Sequence, residues 1–200
     1  LDVADLDGDS DLDAVTGSYD AELDQQLRSA FLFGDGAGVY AYLRDGDRYM
    51  AQRLATDSQA LVTAAVDLDR DGALDVLVGN DFSVRDQVWH NDGGGEFAPI
   101  DPFARSAAYP MIFVTGDVDG DGVEEMFLTD MRPATTDAER IAEWIPLMST
   151  MNKLDNPTSH QRVRNVLQVP QADGTFRDDA APAGTDAAGW AWSARFRDPD

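Results

Sequence analysis

Four aspartates crowd into nine residues of the run DLDRDGALD, residues 67–75. Asp67, Asp69, Asp71 and Asp75 take its first, third, fifth and ninth places, and Gly72 takes the sixth. Carboxylates packed into one tight loop raise each other's pKa and strain the fold unless a counter-ion joins them. A hard divalent cation removes the conflict, and Ca²⁺ takes about six to eight oxygen ligands from carboxylates, backbone carbonyls and water. Acids at alternate places turn their carboxylates inward, and Gly72 permits the backbone reversal. The carbonyl of Ala73 is expected as a further ligand, and Asp75 is expected to close the shell, bidentately. The competing reading is a solvated acidic turn.

The same grammar recurs. DVDGDGVEE (117–125) carries Asp117, Asp119, Asp121, Gly122 and Glu125 in the same places, with Val123 where Ala73 stands. DLDGDSDLD (5–13) carries Asp5, Asp7, Asp9 and Asp13, with Asp11 at the seventh place and Ser10 instead of glycine. Asp198 and Asp200 look like the opening of a fourth copy. Repetition with an acid kept at the ninth place argues against chance. One Ca²⁺ per complete loop, three in all, is therefore expected. An EF-hand would need a glutamate at the twelfth loop position and a helix on each side. That position holds Thr16, Val78 and Leu128.

The elements that must hold these loops read as strands. ALVTAAV (60–66) and MIFVTG (111–116) precede two loops, and DAVTG, DVLVG and EMFLT follow the three, all short and β-branched or aromatic. Further on, VYAYLRDGDRYMAQRL (39–54), QVWHNDGGGEFAPI (87–100) and NVLQVPQADGTFRDDA (165–180) each read as two strands around a Gly/Asp turn. Four antiparallel strands per repeat suggest β-propeller blades. The fold class expected is all-β: about three blades, at about 1–56, 60–101 and 110–180, and the start of a fourth at about 187–200. The chain opens inside a strand without Met and stops inside a motif, so a fragment of one larger propeller domain is expected. An insertion at 131–163 contains TTDAERIAEWIPLMSTMNKL, where Thr136 and Glu139 fit a capping box and Ile141, Trp144, Ile145, Met148 and Met151 recur at helical spacing. A short helix packed on the propeller, or a partner-binding flap, is expected there, broken near Pro146. A smaller insertion spans 18–38, where FLFGDGAG (31–38) reads as an additional strand of undecided pairing.

Asp-x-Asp-x-Asp-Gly-x-x-Asp between strands, followed by NDGGGEF (91–97), resembles the FG-GAP/VCBS repeat of integrin α-chain-type β-propellers. GNDFSVRDQVWHNDGGGEF, LTDMRP and GTFRDDAAPAGTDAAGWAWSARFRDPD narrow the resemblance to the cartilage acidic protein family, whose bacterial members carry an ASPIC/UnbV region. Ser10 departs from the pattern, and the ASPIC/UnbV segment itself is not in this stretch. The resemblance implies a calcium-binding propeller, seven-bladed or similar, outside the cytoplasm.

Net charge is −23, from 38 acidic and 15 basic residues, more acidity than three dications offset. Such a surface excludes a nucleic-acid backbone as partner and suits solubility or a cationic ligand. No run of about 20 apolar residues could span a membrane as a helix. With no cysteine there is no disulfide and no thiolate-ligated metal. Calcium loops of this kind point to an extracellular, periplasmic or cell-surface setting, where calcium is abundant. Catalytic signatures are lacking: His90 and His160 are far apart in sequence, and Asp81, Asp86 and Asp101 have no defined partner. His90 reads as a packing or solvent-facing residue of a hairpin. Trp190 and Trp192 read as alternate residues of one strand, packed against a core or stacking on sugars. Two functions are expected to compete: a binding or adhesion module for a protein or glycan, and a polysaccharide-acting or other catalytic propeller whose active site uses blades outside this stretch.

Overall fold

The computed structural model describes residues 1–19, 37–81, 84–134, 137–139, 142 and 160–197. The chain forms two compact units, Leu1–Asp101 and Pro102–Asp200. In the first, β1 (Asp2–Ala4), β2 (Asp13–Gly17), β3 (Val39–Asp45) and β4 (Arg48–Ala55) pair in sequence order, and β5 (Ala60–Val66), β6 (Asp75–Asn80), β7 (Gln87–Asn91) and β8 (Phe97–Ile100) do the same. In the second, the strands are β9 (Ser106–Ala107), β10 (Ile112–Gly116), β11 (Glu125–Thr129), β12 (Gln161–Arg162), β13 (Val166–Pro170) and β14 (Phe176–Asp178). There β10-β11-β13-β14 is a third sheet of the same order. All three are four-stranded antiparallel meanders, the unit of a propeller blade, and the expected all-β class holds.

Sequence explains which strand goes where. β6 reads DVLVGN and is buried along its whole length, because a central strand is paired on both edges and covered on both faces. β11, EMFLT, is similarly enclosed, whereas β5 and β10 are half-buried throughout. The core of the first unit joins its two sheets through Leu6, Val15, Val39, Leu43, Val76, Val78 and Trp89. Gly17 is required by that approach: a Cβ there would lie 2.4 Å from the Cβ of Ala60. In the second unit Tyr109, Met126, Leu128 and Val166 are buried, and the Asp130 carboxylate accepts the N–H groups of Ala108 and Tyr109 at 3.0 and 2.9 Å.

Two features differ from the sequence reading. Ser106–Ala107 and Gln161–Arg162 form a two-stranded parallel pair that no local pattern announces. Trp190 and Trp192 lie in irregular backbone, not on a strand, and are 52% and 67% exposed. Gly189 enters this segment at a φ of 76°, which breaks extended backbone, and its N–H bonds the carbonyl of Arg132 at 2.9 Å. The expected strand at 31–38 falls almost wholly outside the described residues. Of the expected helix only Ala138, Glu139 and Ala142 are described as helical; the remainder is also outside them.

Candidate metal centres

Each acidic loop bridges the first two strands of its sheet, and its ninth residue opens the second. Asp13, Asp75 and Glu125 are the first residues of β2, β6 and β11, with exposures of 0%, 1% and 4%. From there the carboxylate turns back and accepts the N–H of the loop's second residue: Leu6 to Asp13 at 2.7 Å, Leu68 to Asp75 at 3.0 Å, Val118 to Glu125 at 2.7 Å. The first aspartate accepts from the sixth residue: Ser10 to Asp5 at 2.9 Å, Gly72 to Asp67 at 3.1 Å, Gly122 to Asp117 at 2.9 Å. The third and fifth aspartates each accept from the residue two places on, as Asp71 to Asp69 at 3.2 Å and Ala73 to Asp71 at 2.8 Å show. Every loop is thus wound by its own side chains before any ion is considered.

The winding needs left-handed backbone at two places. Gly8, Arg70 and Gly120 at the fourth place have φ of 76°, 64° and 79°, and Ser10, Gly72 and Gly122 at the sixth have 74°, 95° and 86°. Ser10 therefore adopts the conformation its glycine counterparts adopt. The fourth place was the missed signal, since glycine stands there in the first and third loops but arginine in the second.

Carboxylate oxygens converge in all three loops. Asp5, Asp7 and Asp13 form one group whose ligand atoms lie within 4.8 Å of one another; Asp67, Asp69 and Asp71 form another, and Asp117, Asp119 and Glu125 a third. Asp69, Asp75 and His90 form a fourth group that shares Asp69. Asp9 and Asp121 are not in these groups, and each accepts a backbone N–H, from Asp11 and from Val123, at 2.8 Å. Asp11 instead pairs with Arg44 at 3.5 Å. Ala73 and Val123 have their N–H groups held by Asp71 and Asp121. Asp198 and Asp200 lie outside the described residues.

His90 was read as a packing or solvent-facing residue. The antiparallel register of β6 and β7, with Val76 opposite Trp89, brings it instead to the loop. Its Nδ1 stands 3.2 Å from Asp75 Oδ1 and 3.4 Å from Asp69 Oδ2. Burial pushes the Asp75 carboxyl above its ordinary pKa and the charge of Asp69 adds to that, while the N–H groups of Asn91 and Leu68 and the nearby His90 oppose it. In the same loop Asp67 Oδ1 is buried without a hydrogen-bond partner. A buried acceptor left unpaired costs free energy and fits a bound cation.

The turn after β7 completes the arrangement. Asn91, first residue of NDGGGEF, donates through Nδ2 to the carbonyls of Leu6 at 2.6 Å and Leu74 at 3.0 Å, so one side chain holds the first two loops together. Gly95 packs on the first sheet, where a Cβ would lie 2.5 Å from Leu43 Cδ1. The second aspartate loop and the NDGGGEF turn are therefore one structural unit, although they stand as two separate motifs in the sequence.

Residues 67–128 match the FG-GAP-like repeat family. The matched stretch runs from the first aspartate of the second loop to Leu128 in β11, so the FG-GAP-like repeat takes in two acidic loops and the NDGGGEF turn between them. No curated protein and no solved structure gave a significant match to the chain.

Proposed function

We propose that this chain is a calcium-binding FG-GAP-like repeat module, acting outside the cytoplasm as a rigid scaffold that presents a surface to a protein or glycan. The observation that carries the calcium reading is the recurrence of converging carboxylate oxygens in three loops, with Asp67 Oδ1 buried and unpartnered in one of them. Asp5, Asp7 and Asp13 would hold one ion, Asp67, Asp69, Asp71 and Asp75 a second, and Asp117, Asp119 and Glu125 a third. The ion would supply the positive charge these loops lack: among the described ion pairs only Arg44, on Asp11, brings a Lys or Arg to them. Loops with this ligand count bind at the weak end of calcium affinities, which suits calcium outside the cytoplasm.

The resemblance of QVWHNDGGGEF and of the Gly189-Trp190-Ala191-Trp192 segment supports a place near the cartilage acidic protein (ASPIC/UnbV) family. The exposure of Trp190 and Trp192 supports a binding role over a catalytic one. Any ion that binds the folded chain alone must stabilise it. The melting temperature of the calcium-loaded chain is expected to fall on addition of EDTA and to recover with excess calcium but not magnesium; a melting temperature indifferent to both overturns the calcium reading.

A further inference from the structure

The three loops share a grammar, but among the described residues only the second has an imidazole nitrogen beside its carboxylates. We propose that the loop at 67–75 is also a transition-metal site, in which His90 Nδ1 joins Asp69 and Asp75 to bind a zinc-class dication that the all-oxygen loops at 5–13 and 117–125 do not hold. This rests on the reading above that the loop is a metal loop, and assigns it a different ion preference from its neighbours.

Geometry comes first. Zinc takes imidazole nitrogen and carboxylate oxygen at about 2.0–2.2 Å, so neighbouring ligands in a tetrahedral set stand roughly 3.3 Å apart. His90 Nδ1 stands 3.2 Å from Asp75 Oδ1 and 3.4 Å from Asp69 Oδ2. The ligand atoms of all three residues lie within 4.8 Å of one another. Water would complete the set. The chemistry agrees: imidazole beside carboxylates suits zinc and its first-row neighbours, whereas oxygen alone suits calcium and magnesium.

Preorganisation comes second. Asp75 is almost fully buried, and its two oxygens are oriented by the N–H groups of Leu68 and Asn91 at 3.0 and 2.9 Å. Hydrogen-bonded carboxylates of this kind are what metal sites use to hold their ligands in place. His90 itself is held on β7, in a sheet rather than on a free loop. To ligate through Nδ1 the imidazole must carry its proton on Nε2.

The other two sheets lack this ligand. Ala14 faces Tyr42 and Met126 faces Gln168 as Val76 faces Trp89, so Leu43 and Val169 occupy the place of His90. Neither has a side chain that binds metal.

The test uses the whole chain stripped with EDTA. Zn²⁺ is titrated by calorimetry and Co²⁺ by visible absorption, in the unmodified chain, in His90→Gln, in His90→Ala and in His160→Ala. Loss of an outer partner of a metal ligand already costs about 10–100-fold in affinity. Each His90 variant is therefore expected to weaken the tightest Zn²⁺ site at least tenfold and to lose the Co²⁺ ligand-field bands, with calcium uptake kept. His160→Ala is expected to change neither. Unchanged Zn²⁺ affinity and Co²⁺ spectra in His90→Gln overturn the proposal, as does a signal that follows His160. If calcium uptake persists while no metal depends on His90, only this proposal fails. If neither calcium nor Co²⁺ binds, the calcium reading falls with it.

Discussion

The second and third acidic loops follow one pattern and close in different ways. In the second, Asp75 is gripped from two sides: Leu68 N–H within the loop and Asn91 N–H on the third strand of the sheet both reach its carboxylate. In the third, Glu125 accepts Val118 N–H at 2.7 Å, and the residue at the place of Asn91 is Pro170, which has no N–H to give. The longer glutamate thus stands where the third strand offers no donor. The fourth place differs as well, with Arg70 held at a φ of 64° where the third loop has Gly120 at 79°. A repeat can therefore keep its ligand spacing while it moves closure between a neighbouring strand and a longer side chain. The ninth acid is a clamp for the backbone in both loops.

The largest effect expected from this contrast is at the ninth place. In the calcium-free chain Asp75→Ala orphans the buried N–H of Asn91 and the half-buried N–H of Leu68, and Glu125→Ala orphans the half-buried N–H of Val118. At about 1–3 kcal/mol for a buried unsatisfied donor and less for one that water reaches, the first should cost roughly 1–4 kcal/mol and the second about 1 kcal/mol or less. Urea unfolding in EDTA measures both. Equal losses would mean that the third-strand donor contributes nothing to closure.

A smaller effect is expected at the fourth place. An L-residue in left-handed backbone costs about 1–2 kcal/mol, which glycine escapes apart from its greater freedom when unfolded. Arg70→Gly gives the second loop the residue of the third and should raise stability by up to about 1 kcal/mol in the same assay. Gly120→Arg should lower it by a similar amount. If Arg70→Gly is destabilising, the arginine side chain is doing something at this loop beyond filling a turn.

Much of this was legible in the sequence because both periodicities are local. Alternating acids with an acid at the ninth place gave the loops, and short β-branched runs beside them gave β2, β5, β6, β10 and β11. What was hidden depends on contacts across strands. His90 is fifteen residues from Asp75, and only the antiparallel register joins them. Asn91 looked like part of a hairpin turn, yet its amide serves the carbonyls of two loops, one of them 85 residues away. The left-handed fourth place was masked by Arg70, because a residue other than glycine can be held there by the surrounding hydrogen bonds. Trp190 and Trp192 have strand-like alternation, but Gly189 and the bond from Thr129 Oγ1 to the carbonyl of Ala191 hold their backbone out of any ladder.

If these loops hold calcium, the bound ions can be counted. Calorimetric titration of the EDTA-stripped chain, carried to millimolar calcium as the weaker extracellular loops require, is expected to give three sites per chain. Asp67→Asn and Asp117→Asn should each remove one of them. No calcium uptake at that concentration, or uptake unchanged by both substitutions, would mean that these are solvated acidic turns and not metal loops.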